Sequence, residues 1–181
     1  MTTTLWNIDH SHSAVQFTVR HLMVSKVRGS FTKWSGELAL DDADLTRSRV
    51  DVTIDASSIF TDEPKRDEHL RSADFFEVDK FPQLTFKSTK VEKTEDGLAV
   101  TGELTIRDVT RTVVLEVTDN GRVKDPWGNT RAGFSAHLSL SRKDYGLTWN
   151  ALLEAGGVTV SDKVEIGIEI EAIAPAATAA A

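Results

Sequence analysis

One domain with a substantial core fits in 181 residues, and all-β barrels of this length commonly form a single unit. With 28 acidic residues against 21 basic ones the net charge is −7, which argues against the basic face a nucleic-acid partner requires and disfavours a broad attraction for anionic lipid head groups, though a local pair of Arg or Lys can still hold one phosphate. The lack of cysteine removes disulfide and thiolate chemistry.

The opening "MTTTLWNIDH" has no basic segment followed by an apolar one, and no apolar run approaches the roughly 20 residues of a spanning helix. The expectation is a soluble cytoplasmic protein without stable membrane insertion. Next comes "DHSHS", Asp9 to Ser13. A His-x-His pair can chelate a metal when both imidazoles face one way. His69 and His137, however, are isolated and complete no ligand set, so a His12–Ser13 pair anchoring the first strand is the plainer reading. Asp9, His12 and Ser13 make no hydrolase triad, because adjacent residues on a strand point to opposite faces and no Gly-x-Ser-x-Gly elbow occurs. No metal site and no catalytic residue is expected.

Period-two alternation then dominates. Val15, Phe17 and Val19 alternate with polar neighbours, followed by a shorter candidate from Phe31 to Leu40 and by Val50, Val52 and Ile54. After the segment "KRDEHLRSADFFEVDKFPQLTF", Leu84 to Ser88 reads as a strand, then Leu98, Val100, Leu104 and Ile106, then Val113, Leu115 and Val117. Phe134, Ala136, Leu138 and Leu140, and finally Val164, Ile166, Ile168 and Ile170, complete the series. Such alternation places one face in an apolar interior and the other in water. Turn signals divide the runs at 41–44, 94–97, 106–110, 119–121, 125–129 and 154–157. The pattern predicts an all-β fold of about eight antiparallel strands. Closing that meander into a barrel removes its exposed edges, although a two-sheet sandwich satisfies the same pattern. The domain is expected to span 1–173, with 174–181 a disordered Ala-rich tail.

One connection is long. Residues 66–76 are predicted to form a short helical crossover, with Asp67 and Arg71 at i,i+4 spacing to pair, aromatics at its end, and Pro82 opening the following strand. This reads as a lid over one end of the barrel.

At these residues the sequence resembles a known family. "WNIDHSHSAVQFTVRHL", "GSFTKWSGEL", "SSIFT", "RDEHLRSADFFEVDKFPQLTF", "GELTIRDVTR" and "SRKDYGL" occur with the order and spacing of the YceI-like family, from about Trp6 to Ala172. The resemblance implies a lipocalin-like barrel whose apolar pocket takes a polyisoprenoid or other long-chain lipid, including an isoprenoid quinone. Two positions depart from the pattern: Asp108 stands where Gly is usual, and Tyr145 where Phe is common. The first is a turn position that Asp tolerates; the second adds a hydroxyl beside the implied pocket.

An eight-strand barrel can either fill with side chains or hold one slender ligand. Each buried CH₂ is worth about 0.8 kcal/mol, so an apolar tail dominates affinity and the head group sets selectivity. By alternation the apolar pocket is expected to use Val15, Phe17, Val19, Leu38, Leu40, Leu104, Ile106, Phe134, Leu138 and Leu140. Phe75, Phe76, Phe81 and Phe86 join them from the crossover and the next strand, and Trp149, Leu152 and Leu153 at a mouth. Arg66, His69, Arg71, Arg142 and Tyr145 are the head-group candidates, against a plainer role as an ion-pair network tying the crossover down. The expectation is a non-enzymatic carrier with no cofactor beyond a non-covalent lipid, open to homodimerisation through a shared edge or mouth. The alternative is a filled structural barrel acting as an interaction module.

Overall fold

A computed structural model describes residues 3–154 and 156–176. Eleven strands form one antiparallel sheet: β1 (Thr4–Ile8), β2 (Ala14–His21), β3 (Ser25–Phe31), β4 (Trp34–Leu40), β5 (Arg49–Asp55), β6 (Ile59–Phe60), β7 (Gln83–Lys93), β8 (Leu98–Ile106), β9 (Val109–Lys124), β10 (Thr130–Ser141) and β11 (Lys163–Ile173). Eight of them close a barrel in the order β1-β4-β5-β7-β8-β9-β10-β11. The first strand closes the ring by dividing its ladder: Thr4–Trp6 pair with Leu38–Leu40 of β4, and Asn7 and Ile8 pair with β11. Beyond that point β11 changes neighbour and pairs with β2, which carries β3 and then β6. The sandwich is thereby excluded, and the ring closes on itself.

The differences from the sequence reading have local causes. The segment from Phe31 to Leu40 is two strands that part at Thr32 and Lys33. β7 runs on to Lys93, bending at a bulge between Ser88 and Lys90. "DNG" at 119–121 is no turn but the interior of β9, where Asn120 is the extra residue of a bulge opposite Gly133/Phe134 and Gly121 takes φ 93°. The residue types that permit positive φ serve a bulge as well as a hairpin. The crossover helix α1 is Pro64–Arg71, starting and ending before the predicted 66–76. Glu63 caps it by accepting from the amides of Lys65 and Arg66, Pro64 takes the first turn, and turns carry the chain from Ser72 onward. Of the tail, Ala174 donates its amide to the Thr130 carbonyl; residues 177–181 lie outside the described residues.

Candidate ligand-binding site

The inward faces of the strands enclose a cavity of about 430 Å³, within the range of small-molecule pockets, roughly 300–1,000 Å³. Its wall is overwhelmingly aliphatic and aromatic. Of the apolar residues expected to line it, Val15, Phe17, Val19, Leu38, Leu40, Phe75, Phe76, Phe86, Leu104, Ile106, Phe134, Leu138, Leu140 and Trp149 do so. Three do not. After Glu77, whose φ is 47°, the chain turns Phe81 away, so that its ring lies under Arg107 and Lys80. Leu152 pairs with Val158 in a small projecting loop and is 86% exposed, and Leu153 beside it also misses the wall.

Residues of the same inward phase that the sequence reading left off its pocket set also line the cavity, among them Val50, Val52, Ile54, Val100, Leu115, Ile166 and Ile168; the alternation already marked them. Trp34, Ile59, Leu70 and Leu147 gave no periodic signal, because two sit at strand ends and two on connections.

Two glycines explain why large aromatic residues leave room inside. Gly29 lies opposite Phe17 in the β2–β3 register, and a Cβ there would sit 2.3 Å from the tip of the Phe17 ring. At Gly102 a Cβ would meet the Phe86 ring at 2.4 Å and the Lys87 carbonyl at 2.6 Å. Each ring therefore lies flat over a glycine of the adjacent strand. The lumen stays open because those two Cβ atoms are missing.

The crossover covers the mouth with rings rather than ion pairs. His69 packs edge-on against Trp149 and Phe75 at centroid distances of 4.6 and 5.1 Å, and Phe75 tilts over Trp149 at 5.4 Å. The predicted Asp67–Arg71 pair does not form. Asp67 is buried and accepts from the amide and hydroxyl of Thr61 at 2.9 and 2.5 Å. Arg71 donates instead to the carbonyls of Ser57 and Ile59, anchoring the helix away from the lumen. His69 is 2.8 Å from Asp74.

Arg66, His69, Arg142 and Tyr145 all reach the cavity wall. Arg142 is 5% exposed and donates to the carbonyls of Leu147, Trp149, Val160 and Ser161, so it ties together the two arms of the mouth loop that follows it; burial pushes its pKa down. Arg66 donates only to Thr61 and, among the described residues, has no carboxylate within ion-pair distance. Tyr145 is 1% exposed, and its hydroxyl has no hydrogen-bond partner; burial raises its pKa.

Tyr145 occupies a seam in the wall. β9 pairs with β10 only from His137↔Glu116 outward, so Val109–Leu115 bond only to β8, and Leu138–Ser141 only to β11. A short 3-10 turn, Arg142–Tyr145, crosses this split, pinned where the Arg111 guanidinium donates to the Asp144 carbonyl at 2.7 Å. Tyr145 thus faces both the lumen and the cleft between the strands.

The opposite end is closed. Trp6 packs with Leu38, Leu40, Ala132 and Phe134, and Arg122 lies over the Trp6 and Phe134 rings. Arg131 reaches Asp9, Asp125 and Glu171 at 2.8, 2.8 and 2.5 Å. Hydrogen bonds from the Ser11 hydroxyl, Arg131 and His12 hold Asp9 far below the usual carboxylate range. Burial opposes the same shift at Asp125, yet bonds from Arg131 and Asn129 bring it down to about 2. Asp9, His12 and Glu171 are close enough to hold a cation, but the Arg131 guanidinium already bonds both carboxylates there. His10 instead packs on Trp34, and the Ser13 hydroxyl bonds the Glu171 backbone rather than His12.

Comparison with known proteins agrees with this architecture. The YceI-like domain model matches residues 6–172. The chain belongs to the YceI-like family. A YceI protein of Salmonella newport is 40% identical over 165 residues, which cover 91% of this chain and 83% of that one. The crystal structure of BcnA from Burkholderia cenocepacia superimposes with a TM-score of 0.80 at 22% identity, over 91% of this chain and 99% of that one. A domain of Saccharophagus degradans named as polyisoprenoid-binding gives a TM-score of 0.64 at 17% identity, over 94% and 98%. The YceI-like barrel is a binding-type fold, and among the described residues no helix is long and apolar enough to cross a membrane.

Proposed function

We propose that this YceI-like barrel carries or sequesters one long-chain amphiphile, an isoprenoid or isoprenoid quinone being the best match, with its tail in the lumen and its polar end at the covered mouth. The observation that carries this reading is a deep cavity of about 430 Å³ with an almost wholly apolar wall. Some fifteen buried methylenes would contribute about 12 kcal/mol gross, enough for tight binding after the tail's lost freedom is subtracted. The name of the Saccharophagus degradans domain points to the same ligand class. Among the described residues the wall presents no nucleophile–base pair, and binding is the whole of the action proposed.

Among the predicted head-group residues that reach the wall, two retain hydrogen-bonding capacity. Arg66 is an exposed cation with only Thr61 as partner, suited to an anionic head. The Tyr145 hydroxyl is an orphan suited to a neutral oxygen such as a carbonyl. Arg142, Arg71 and His69 are already engaged and act as mouth structure. A side-chain-filled barrel working only through its surface is disfavoured by the open lumen.

Denaturing mass spectrometry of an organic extract of freshly purified protein tests the proposal, with a stoichiometric isoprenoid or long-chain lipid as the expected result. Trp34 and Trp149 line the cavity, so intrinsic fluorescence should respond to added quinone or polyprenyl phosphate. An extract free of lipid, together with flat titrations and no thermal stabilisation by either compound, would reject it.

A further inference from the structure

The β2–β3 hairpin and the loop between Trp149 and Val160 form a single exposed edge beside the mouth. Leu22 donates its amide to the Thr159 carbonyl at 2.9 Å, His21 bridges to Val160, and Leu152 bridges to Val158. Along this edge Leu22, Met23, Val24 and Leu152 are 38, 55, 82 and 86% exposed. They bury little against the protein, and two of them sit where large side chains are disfavoured. Leu22 and Met23 adopt φ of 52° and 60° at the hairpin turn, a left-handed pair normally left to Asn and Gly. A turn that breaks local preference without packing gain marks a site kept for another purpose.

The charges beside it point to the partner. Although the chain carries −7, it has no acidic residue between Asp9 and Glu37. Within that stretch Arg20 stands directly opposite Lys26 across the β2–β3 ladder, with Arg28 two residues farther along. Like charges facing each other on a sheet repel. None of the three has a carboxylate partner among the described residues. Glu154 is the one unpaired carboxylate on the two loops; Asp162 is taken by Lys143 and lies 3.6 Å from Arg142. An apolar tip flanked by unpaired cations is the pattern of a segment lying in a membrane interface.

We infer that this edge docks the barrel on an anionic lipid bilayer, with Met23, Val24 and Leu152 entering the interface and Arg20, Lys26 and Arg28 facing the head groups. His21, Trp149, Thr159 and Val160 belong to both the edge and the cavity wall, so docking brings the mouth to the membrane from which a long-chain lipid would be taken. The inference rests on the lipid-carrier reading for its purpose but not for its geometry.

Flotation of the full chain with phosphatidylcholine vesicles, with and without phosphatidylglycerol, tests it. Binding is expected on the mixed vesicles and lost at high salt. Replacing Lys26 and Arg28 by Gln should lower partitioning roughly twenty-five-fold, about fivefold for each charge. The triple replacement of Met23, Val24 and Leu152 by Ser should lower it by roughly tenfold or more, with an unchanged urea midpoint showing that the fold is intact. Equal partitioning of parent and variants overturns the inference, as does a parent that never floats with vesicles. Self-association abolished by the triple variant would also overturn it, by making the edge an interface between copies. If the parent fails to float yet yields a stoichiometric lipid on extraction, docking falls and the carrier reading stands; flotation by a chain with an empty, unresponsive cavity gives the reverse.

Discussion

The two ends of the barrel use arginine in opposite ways. At the closed end Arg131 meets three carboxylates, and Trp6 fills the interior beside it. At the mouth Arg142 and Arg71 meet backbone carbonyls, which tie the covering loop and short helix down beside the strands. A guanidinium paired with carboxylates neutralises a fixed end. One that gathers carbonyls holds a covering together while leaving the space beneath it apolar. The closed end should therefore govern the acid stability of the barrel, and the mouth its ligand.

The largest effect expected is at Arg142. Arg142→Met orphans the carbonyls of Leu147, Trp149 and Ser161, while that of Val160 keeps Asn150, and should destabilise the protein by about 3–5 kcal/mol, read as a lowered urea midpoint. A shift within experimental error would show that the loops hold without it. Filling the lumen should separate ligand from fold. Ala136 lines the cavity, and Ala136→Trp should displace about five tail carbons, or about 4 kcal/mol of affinity, in a fluorescence titration while the barrel still folds; undiminished affinity would place the tail elsewhere. Gly29→Ala should drive the Phe17 ring into the lumen and weaken tail binding about tenfold, since a displaced ring removes one or two methylene contacts.

Acid should separate the two ends. The carboxyl of Asp125 is depressed to about 2 in the folded chain against about 3.9 unfolded. Its pairing with Arg131 is thus fully present above pH 4 and is lost as pH falls toward 2. Arg131→Met should flatten that acid limb of the stability profile while leaving ligand affinity at neutral pH unchanged. A profile that keeps its acid limb would assign it to other carboxylates.

The smallest change is at the seam. Tyr145→Phe removes an orphaned buried hydroxyl, so stability should hold or rise by about 1 kcal/mol. Affinity for a quinone should fall about fivefold, the worth of one neutral hydrogen bond, while affinity for a pure hydrocarbon chain stays the same. An equal loss for both would mean that the ring alone matters.

Much of the wall was readable from alternation, because a strand half in oil and half in water writes a period of two into its residues. Phe17, Leu104, Phe134 and Leu138 point inward as that period requires. The β2–β3 hairpin was missed because its turn is Leu22-Met23, which carries no turn chemistry. "DNG" misled for the converse reason, its glycine serving a bulge. Phe81 was misassigned because a run of aromatics shows no direction until the turn at Glu77 is known. The closed end was hidden by distance along the chain, Arg131 and Asp9 being 122 positions apart, and at the mouth no local pattern announces that Arg142 will gather carbonyls from both arms of the loop that follows it.

The split between β9 and β10 means that the circumference of the barrel is not locked by a complete set of ladder bonds. At that slit the wall would spread by rolling Lys143–Tyr145 outward about the anchored Arg142, giving up the Arg111–Asp144 bond but no strand pairing. Backbone amides along 110–114 that face it should exchange with solvent faster than those of β8 alongside. On the carrier function proposed above, a tube with such a side slit need not be threaded from its end, and a tail would be laid in sideways.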